Sequence, residues 1–209
     1  MNVDRRTLEK EMQEAGRLPP GQALTVKFPV LHYGSVPFFD EEAWRFRIRG
    51  NVSREMEITW QAFNDLPKVQ VTMDLHCVTK WSKFDTTWEG VYVRDLLSAL
   101  NIELLPNTGF MIQHAPNGYS TNLPIEIALA DNFLLATEFE GQPLAPEHGF
   151  PLRGVIGAFP ENKDLKDVYL WKGAKWLTDL EFCKEDQPGF WEQAGYHNEG
   201  DVWLEQRSA

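Results

Sequence analysis

The sequence is short of cysteine, with two in 209 residues, at positions 77 and 183. A pair so placed excludes a disulfide framework and any Cys-x-x-Cys zinc or redox motif, and fits a reducing compartment. Also missing are a run of about twenty apolar residues to cross a bilayer and, behind the charged first ten residues, the apolar stretch of a secretory leader. A cytoplasmic protein without membrane insertion is therefore expected. Positive charge is scarce as well: 20 Lys and Arg stand against 31 Asp and Glu, a net charge of −11. A field of that sign repels nucleic acid and anionic membranes, so an anionic ligand must find a local basic pocket. No internal repeat, low-complexity tract or Gly/Ser-rich linker divides the chain. One domain is expected over 27–209, preceded by a helix and arm at 1–26.

What is present suffices for a core: 43% of residues are apolar and 12% aromatic, enough to bury a domain without cross-links. Residues 4–16 read as a short amphipathic helix, broken by Leu18-Pro-Pro-Gly-Gln22 and followed by an extended segment to Gly34. Strand-like runs follow at 44–52, 69–78, 110–114, 133–139, 152–156, 168–171 and 176–182, and helical spacing at 93–100 and 124–130. Strands without regular βα alternation predict an α+β, β-rich fold. The closing stretch 187–201, rich in aromatics and glycine, is expected to fold back over the body.

Counting by twos from Val69, the apolar positions are Val69, Val71, Met73, Leu75 and Cys77, while Gln70, Thr72, Asp74 and His76 point the other way. The Cys77 sulfur then emerges inward at a strand end. Four roles compete there: a core filler, a nucleophile served by His114 or His148, a zinc ligand without close companions, and the single protein ligand of a soft metal otherwise held by a cofactor. A phosphate-bearing cofactor needs cationic donors. His148-Gly-Phe-Pro-Leu-Arg153 and Trp171-Lys-Gly-Ala-Lys-Trp176 supply them, with Lys172 and Lys175 around Gly173, whose missing side chain lets a bulky anion approach the backbone. Arg45, Arg47 and Arg49 alternate along one run and read as a solvated strand face.

Together with Phe28-Pro-Val-Leu-His-Tyr33, Leu75-His-Cys-Val-Thr-Lys-Trp-Ser82, Asp85, Trp88-Glu-Gly-Val91, Gly118-Tyr-Ser-Thr-Asn-Leu-Pro124 and the 188–201 tail, these pieces resemble the molybdopterin-binding domain of the sulfite oxidase superfamily over most of the chain. The resemblance implies a Mo-molybdopterin (pyranopterin dithiolene) cofactor with Cys77 on the molybdenum. His148, Arg153 and Lys175 would hold the pterin and its phosphate, beside Lys172 and Gly173; His32 and Tyr33 would touch the pterin from the arm, and Gln113 or His114 from a central strand. His76, Trp81 and Asp85 would surround the thiolate. It further implies oxygen-atom transfer on a small substrate, a sulfite-like anion or an S-oxide, and an external electron donor or acceptor protein. A cysteine hydrolase or transferase and a non-catalytic molybdopterin carrier are the alternatives. Lys80 stands where an arginine is common in that family, and 160–168 is longer than the usual connection, either covering the site or extending a surface hairpin.

Overall fold

The computed structural model describes residues 4–209. The chain runs through α1 (Arg5–Glu14), β1 (Ala23–Leu24), β2 (Arg45–Gly50), β3 (Met56–Thr59), α2 (Trp60–Asn64), β4 (Val69–His76), β5 (Trp81–Val91) and α3 (Val93–Ala99). It continues with β6 (Phe110–His114), β7 (Ser120–Pro124), α4 (Ile125–Ala128), β8 (Phe133–Phe139), β9 (Gln142–Pro143), β10 (Arg153–Ile156), β11 (Asp179–Cys183) and α5 (Phe190–Gln193). One sheet has the order β1-β5-β8-β10, with β4 also on β5 and β9 on β8; the other has the order β3-β2-β11-β6-β7. Each sheet contains one parallel pairing, β1 with β5 and β2 with β11, among antiparallel ones. This is the mixed α+β fold expected.

Strand β8 shows how the two sheets share a core. Phe133 and Leu135 pack with Phe46, Ile48, Leu180 and Phe182 of the second sheet and with Phe63 and Leu96 of the helices. Leu134 and Ala136, on the opposite face, pack with Met73, Leu75, Trp88 and Val155. Because both faces are covered, 133–136 reads as an unbroken apolar run, not an alternating one.

The longest strand, β5, was not among the expected ones, and its chemistry explains why. Its inward positions include Ser82 and Thr86, both buried, so the alternation reads as polar. Each hydroxyl is satisfied inside: Thr86 Oγ1 donates to the Met73 carbonyl at 2.6 Å and accepts from Trp88 Nε1 at 2.9 Å, and Ser82 Oγ bonds His76 Nδ1 at 2.8 Å. Expected strand 168–171 is instead a bridge at Val168 followed by a 3-10 turn at Leu170–Lys172. Arg47 and Arg49 are not simply solvated: they pair with Glu57 and Glu181, each at 2.8 Å.

In β4 the simple alternation breaks. A bulge between Met73 and Leu75 shifts the register, and Asp74 and His76 are buried beside their apolar neighbours. Asp74 is tolerated inside because Arg17 from the N-terminal arm forks onto it, Nε to Oδ2 at 2.9 Å and Nη2 to Oδ1 at 2.7 Å, while the Asp85 N–H donates to Oδ1 at 3.0 Å. The arm is thus built into the sheet, with Leu18 and Leu24 buried and β1 registered on Trp81 and Ser82. Removing one member of such a pair leaves the other charge uncompensated. Arg17→Met is therefore expected to lower unfolding free energy by about 2–3 kcal/mol, measured by urea titration; a loss below about 0.5 kcal/mol, the range of a plain surface substitution, would refute this role for the arm.

Candidate functional site

Strand β4 ends at His76, and Cys77 opens the turn into β5: the Cys77 N–H donates to the Trp81 carbonyl at 2.9 Å and the Lys80 N–H to the Cys77 carbonyl at 3.0 Å. The thiol is nearly buried, yet it faces a cavity of about 310 Å³. The walls come from five places: the arm (Phe28, His32, Tyr33), the 77–81 turn, Tyr119 ahead of β7, Arg153 at the start of β10 with the 170–176 turn, and the tail (Trp191, Tyr196). Cys77 Sγ lies 3.2 Å from Thr79 Oγ1. Burial pushes the thiol pKa up, against the Thr79 hydrogen bonds and the charges of Arg207 and Lys175.

Two cations reach the same cavity. The Arg153 side chain is buried, with Nη1 donating to the His148 carbonyl at 3.0 Å and Nε to the Gly154 carbonyl at 3.2 Å; its guanidinium lies over the rings of Trp88 and Phe28. Lys175 Nζ donates to the Glu147 carbonyl at 2.8 Å. Among the described residues these donors meet backbone carbonyls and no carboxylate. Burial pushes the Arg153 pKa down to about 10, and burial followed by the Arg153 charge pushes Lys175 down to about 7. Buried, uncompensated positive charge on a cavity wall calls for an anionic group. The Trp81 indole N–H, on the same wall, is likewise buried without a partner.

Of the residues singled out from sequence, His32, Tyr33, Cys77, Arg153, Gly173 and Lys175 line this cavity. His32 bonds Gly34 through Nδ1 at 3.0 Å and meets Trp176 edge-on, and Tyr33 packs on Phe190. His148 stands one layer back, stacked on Phe28 with ring centroids 4.2 Å apart and its Nδ1 buried without a partner. Its pKa falls to about 4, through burial and the charges of Lys175 and Arg153. His114 is not brought to the cavity; its Nε2 lies 2.8 Å from Glu181 on the second sheet. Its neighbour Gln113 supports the wall instead, bonding the Lys172 carbonyl at 2.7 Å and the Ala174 N–H at 2.9 Å.

Lys172 also faces away. Its Nζ is buried against Glu192 Oε1 (2.8 Å), Asn122 Oδ1 (2.7 Å) and the Asn198 carbonyl (2.8 Å), which fastens the tail to the body. Gly173, on the cavity wall, also has a packing reason: a Cβ there would lie 2.4 Å from the Gly154 carbonyl oxygen. His76 and Asp85 lie off the wall, and burial lowers the His76 pKa to about 3. Loop 160–168 lies off the wall too; Lys163 reaches the Gly16 carbonyl at 2.9 Å and Lys166 pairs with Glu199 at 3.0 Å. Reading the sequence missed Thr79, Tyr119, Trp191 and Tyr196 as wall residues; the aromatic and glycine content of 187–201 was the signal for the last two.

Known proteins resemble this chain in sequence and in fold. Residues 33–191 match the family model described as oxidoreductase molybdopterin binding domain. The chain is 42% identical over 199 residues, 95% of each chain, to the uncharacterized oxidoreductase YuiH of Bacillus subtilis (strain 168). It is 26% identical to the sulfite oxidase of Arabidopsis thaliana, over 85% of this chain and 53% of that one, so it spans about half of that relative. Among solved structures, the sulfane dehydrogenase SoxCD from Paracoccus pantotrophus matches with a TM-score of 0.61 at 17% identity, covering 74% of this chain and 41% of that chain, a likeness of fold.

Proposed function

Because this chain belongs to the oxidoreductase molybdopterin binding domain family, whose cofactor is Mo-molybdopterin, we propose that it transfers an oxygen atom to or from a small substrate, with Cys77 as the protein's ligand to molybdenum. The observation that carries this reading is the convergence of a thiol and two cations without carboxylate partners on one aromatic-walled cavity. When bound, the cofactor supplies two-electron oxygen-atom chemistry at its metal.

The residues divide the remaining work. Cys77 gives up its proton to become a ligand, since a metal binds thiolate and not thiol. Arg153 and Lys175 would hold the phosphate of the pterin, Arg as a fork and Lys as a point charge. The indole N–H of Trp81 offers a donor on the same wall, and His32 and Tyr33 border it on the arm side.

The wall also bears on the substrate. Among the described residues its only arginine and lysine are Arg153 and Lys175; with both taken up by the cofactor phosphate they would hold, an uncharged S-oxide against aromatic side chains suits it better than a sulfite-like anion. Electrons then pass to or from an external protein. A cysteine nucleophile has less support, because the hydrogen bond of Cys77 Sγ runs to Thr79 while His114 is taken by Glu181 and His148 is stacked on Phe28.

The test is expression in a cofactor-competent host, followed by metal and pterin analysis and a redox-dye assay across S-oxides, N-oxides and sulfite. We expect close to stoichiometric molybdenum and turnover of S-oxides above that of sulfite. Less than about a tenth of an equivalent of molybdenum, well under the occupancy of a dedicated site, would overturn the cofactor role. Faster turnover of sulfite would overturn the substrate preference.

A further inference from the structure

Three carbonyl oxygens of the turn that carries Cys77 are held by donors from outside residues 33–191, the span shared with the family. Gln22 Nε2 donates to the Cys77 carbonyl at 3.0 Å and Arg207 Nη1 to the Val78 carbonyl at 3.0 Å. The backbone N–H of Ala23 donates to the Lys80 carbonyl at 3.0 Å. The Cys77 carbonyl also accepts from the Lys80 N–H, so both its lone pairs are engaged.

The turn needs such support. Lys80 sits at φ 70°, a left-handed conformation that a side chain with a Cβ adopts only when its surroundings impose it. Gln22 is buried, and Arg207 is anchored in turn by the Tyr169 ring, 4.9 Å from its guanidinium carbon, and by the Pro20 carbonyl at 3.3 Å. The two side-chain donors thus come from segments that touch each other beside the turn. Rotation about the Cα–Cβ bond is the only freedom the Cys77 sulfur has relative to the backbone, so the placement of this backbone confines the sulfur to a few staggered directions.

We propose that Gln22 and Arg207 are positioning residues that hold the 77–80 turn so that the Cys77 sulfur meets bound molybdenum in one orientation, an inference that rests on the reading of Cys77 as the metal ligand. An outer partner that orients a ligand acts on the metal without touching it.

The experiment compares Gln22→Met, Arg207→Met and their combination with Arg207→Lys, which keeps one donor. In the cofactor-free chain, amide hydrogen exchange at Cys77 and Lys80 should quicken about tenfold in each Met variant, the factor that one such hydrogen bond amounts to. Exchange in β8 and β11 should be unchanged, and Arg207→Lys should recover most of the protection. In holoenzyme at equal molybdenum content, the sulfur-to-molybdenum charge-transfer absorption should shift or broaden in the Met variants and return in Arg207→Lys.

Unchanged exchange at 77–80 would overturn the proposal, as would an equal rise across the β8 and β11 core, which marks a purely structural role. If the combined variant does not fold, the single variants decide by the same criteria. A normal charge-transfer band in Cys77→Ser would instead overturn the ligand reading, whereas the exchange measurement in the cofactor-free chain is read independently of it.

Discussion

Cys77→Ser is expected to lower turnover per molybdenum by more than about 100-fold, beyond the 10–100-fold cost of losing an outer partner of a metal ligand. The fold should survive. Serine differs from cysteine at one atom, and the bonds that shape the turn are made by the backbone of residue 77, to Trp81, Lys80 and Gln22. What changes is the donor: a soft thiolate gives way to a hydroxyl that stays protonated at neutral pH and binds a soft metal poorly. The check is kcat normalised to metal content, beside the thermal midpoint. Wild-type turnover per molybdenum with serine in place would sink the assignment of Cys77.

Arg153→Met is expected to leave the cofactor-free protein almost as stable as before and to loosen its hold on the cofactor. In the cofactor-free chain Arg153 is a fully buried charge whose pKa burial has already pushed down to about 10. Replacing it by an apolar side chain of similar length removes that cost, while two hydrogen bonds to carbonyls are lost at about 1 kcal/mol each. Stability without cofactor should therefore change little, within about 1 kcal/mol. Retention of the cofactor should fall at least tenfold, because a phosphate would lose the forked half of its charge match. Stoichiometric molybdenum in Arg153→Met after dialysis would refute the phosphate role.

Lys175 adds a pH dependence to the same site. Its folded pKa, about 7, lies below its ordinary value of 10.5. Between those values the unfolded chain holds more protons than the folded one, so cofactor-free stability rises with pH across that window. The destabilising contribution is complete below pH 7, and Lys175→Met should flatten the slope. Cofactor binding has the opposite sign at Lys175: a phosphate beside it favours its charged form, so the ratio of wild-type to Lys175→Met retention should fall as pH climbs above about 7, the proton that Cys77 releases being common to both. A ratio that is flat from pH 6 to 9 would show that Lys175 carries no share of the anion.

Much of this was legible along the chain because it rests on local signals. The strands at Phe110–His114 and Phe133–Phe139 announce themselves as apolar runs between turn residues. Strand β5 did not, since the polarity of Ser82 and Thr86 is cancelled by partners on β4 and by Trp88 two residues on. Asp74 likewise reads as an outward residue until Arg17, distant in sequence, is seen across from it.

The site divides along the same line. Lys172 and Lys175, three residues apart, carry the same charge and looked equivalent; Glu192 and Asn198 of the tail bury and neutralise the first, while the second meets no acid among the described residues and is left on the cavity wall. Gln113 and His114 are adjacent, and strand alternation alone sends one toward the 170–175 turn and the other toward Glu181. Residue order therefore sufficed for the β-rich mixed fold, the thiol at a strand end and the cationic motifs, all properties of neighbouring positions. Which cations stay unpaired, which aromatics wall the cavity and what holds the Cys77 turn were decided in three dimensions, because charge compensation and enclosure depend on segments 20 to 129 residues away.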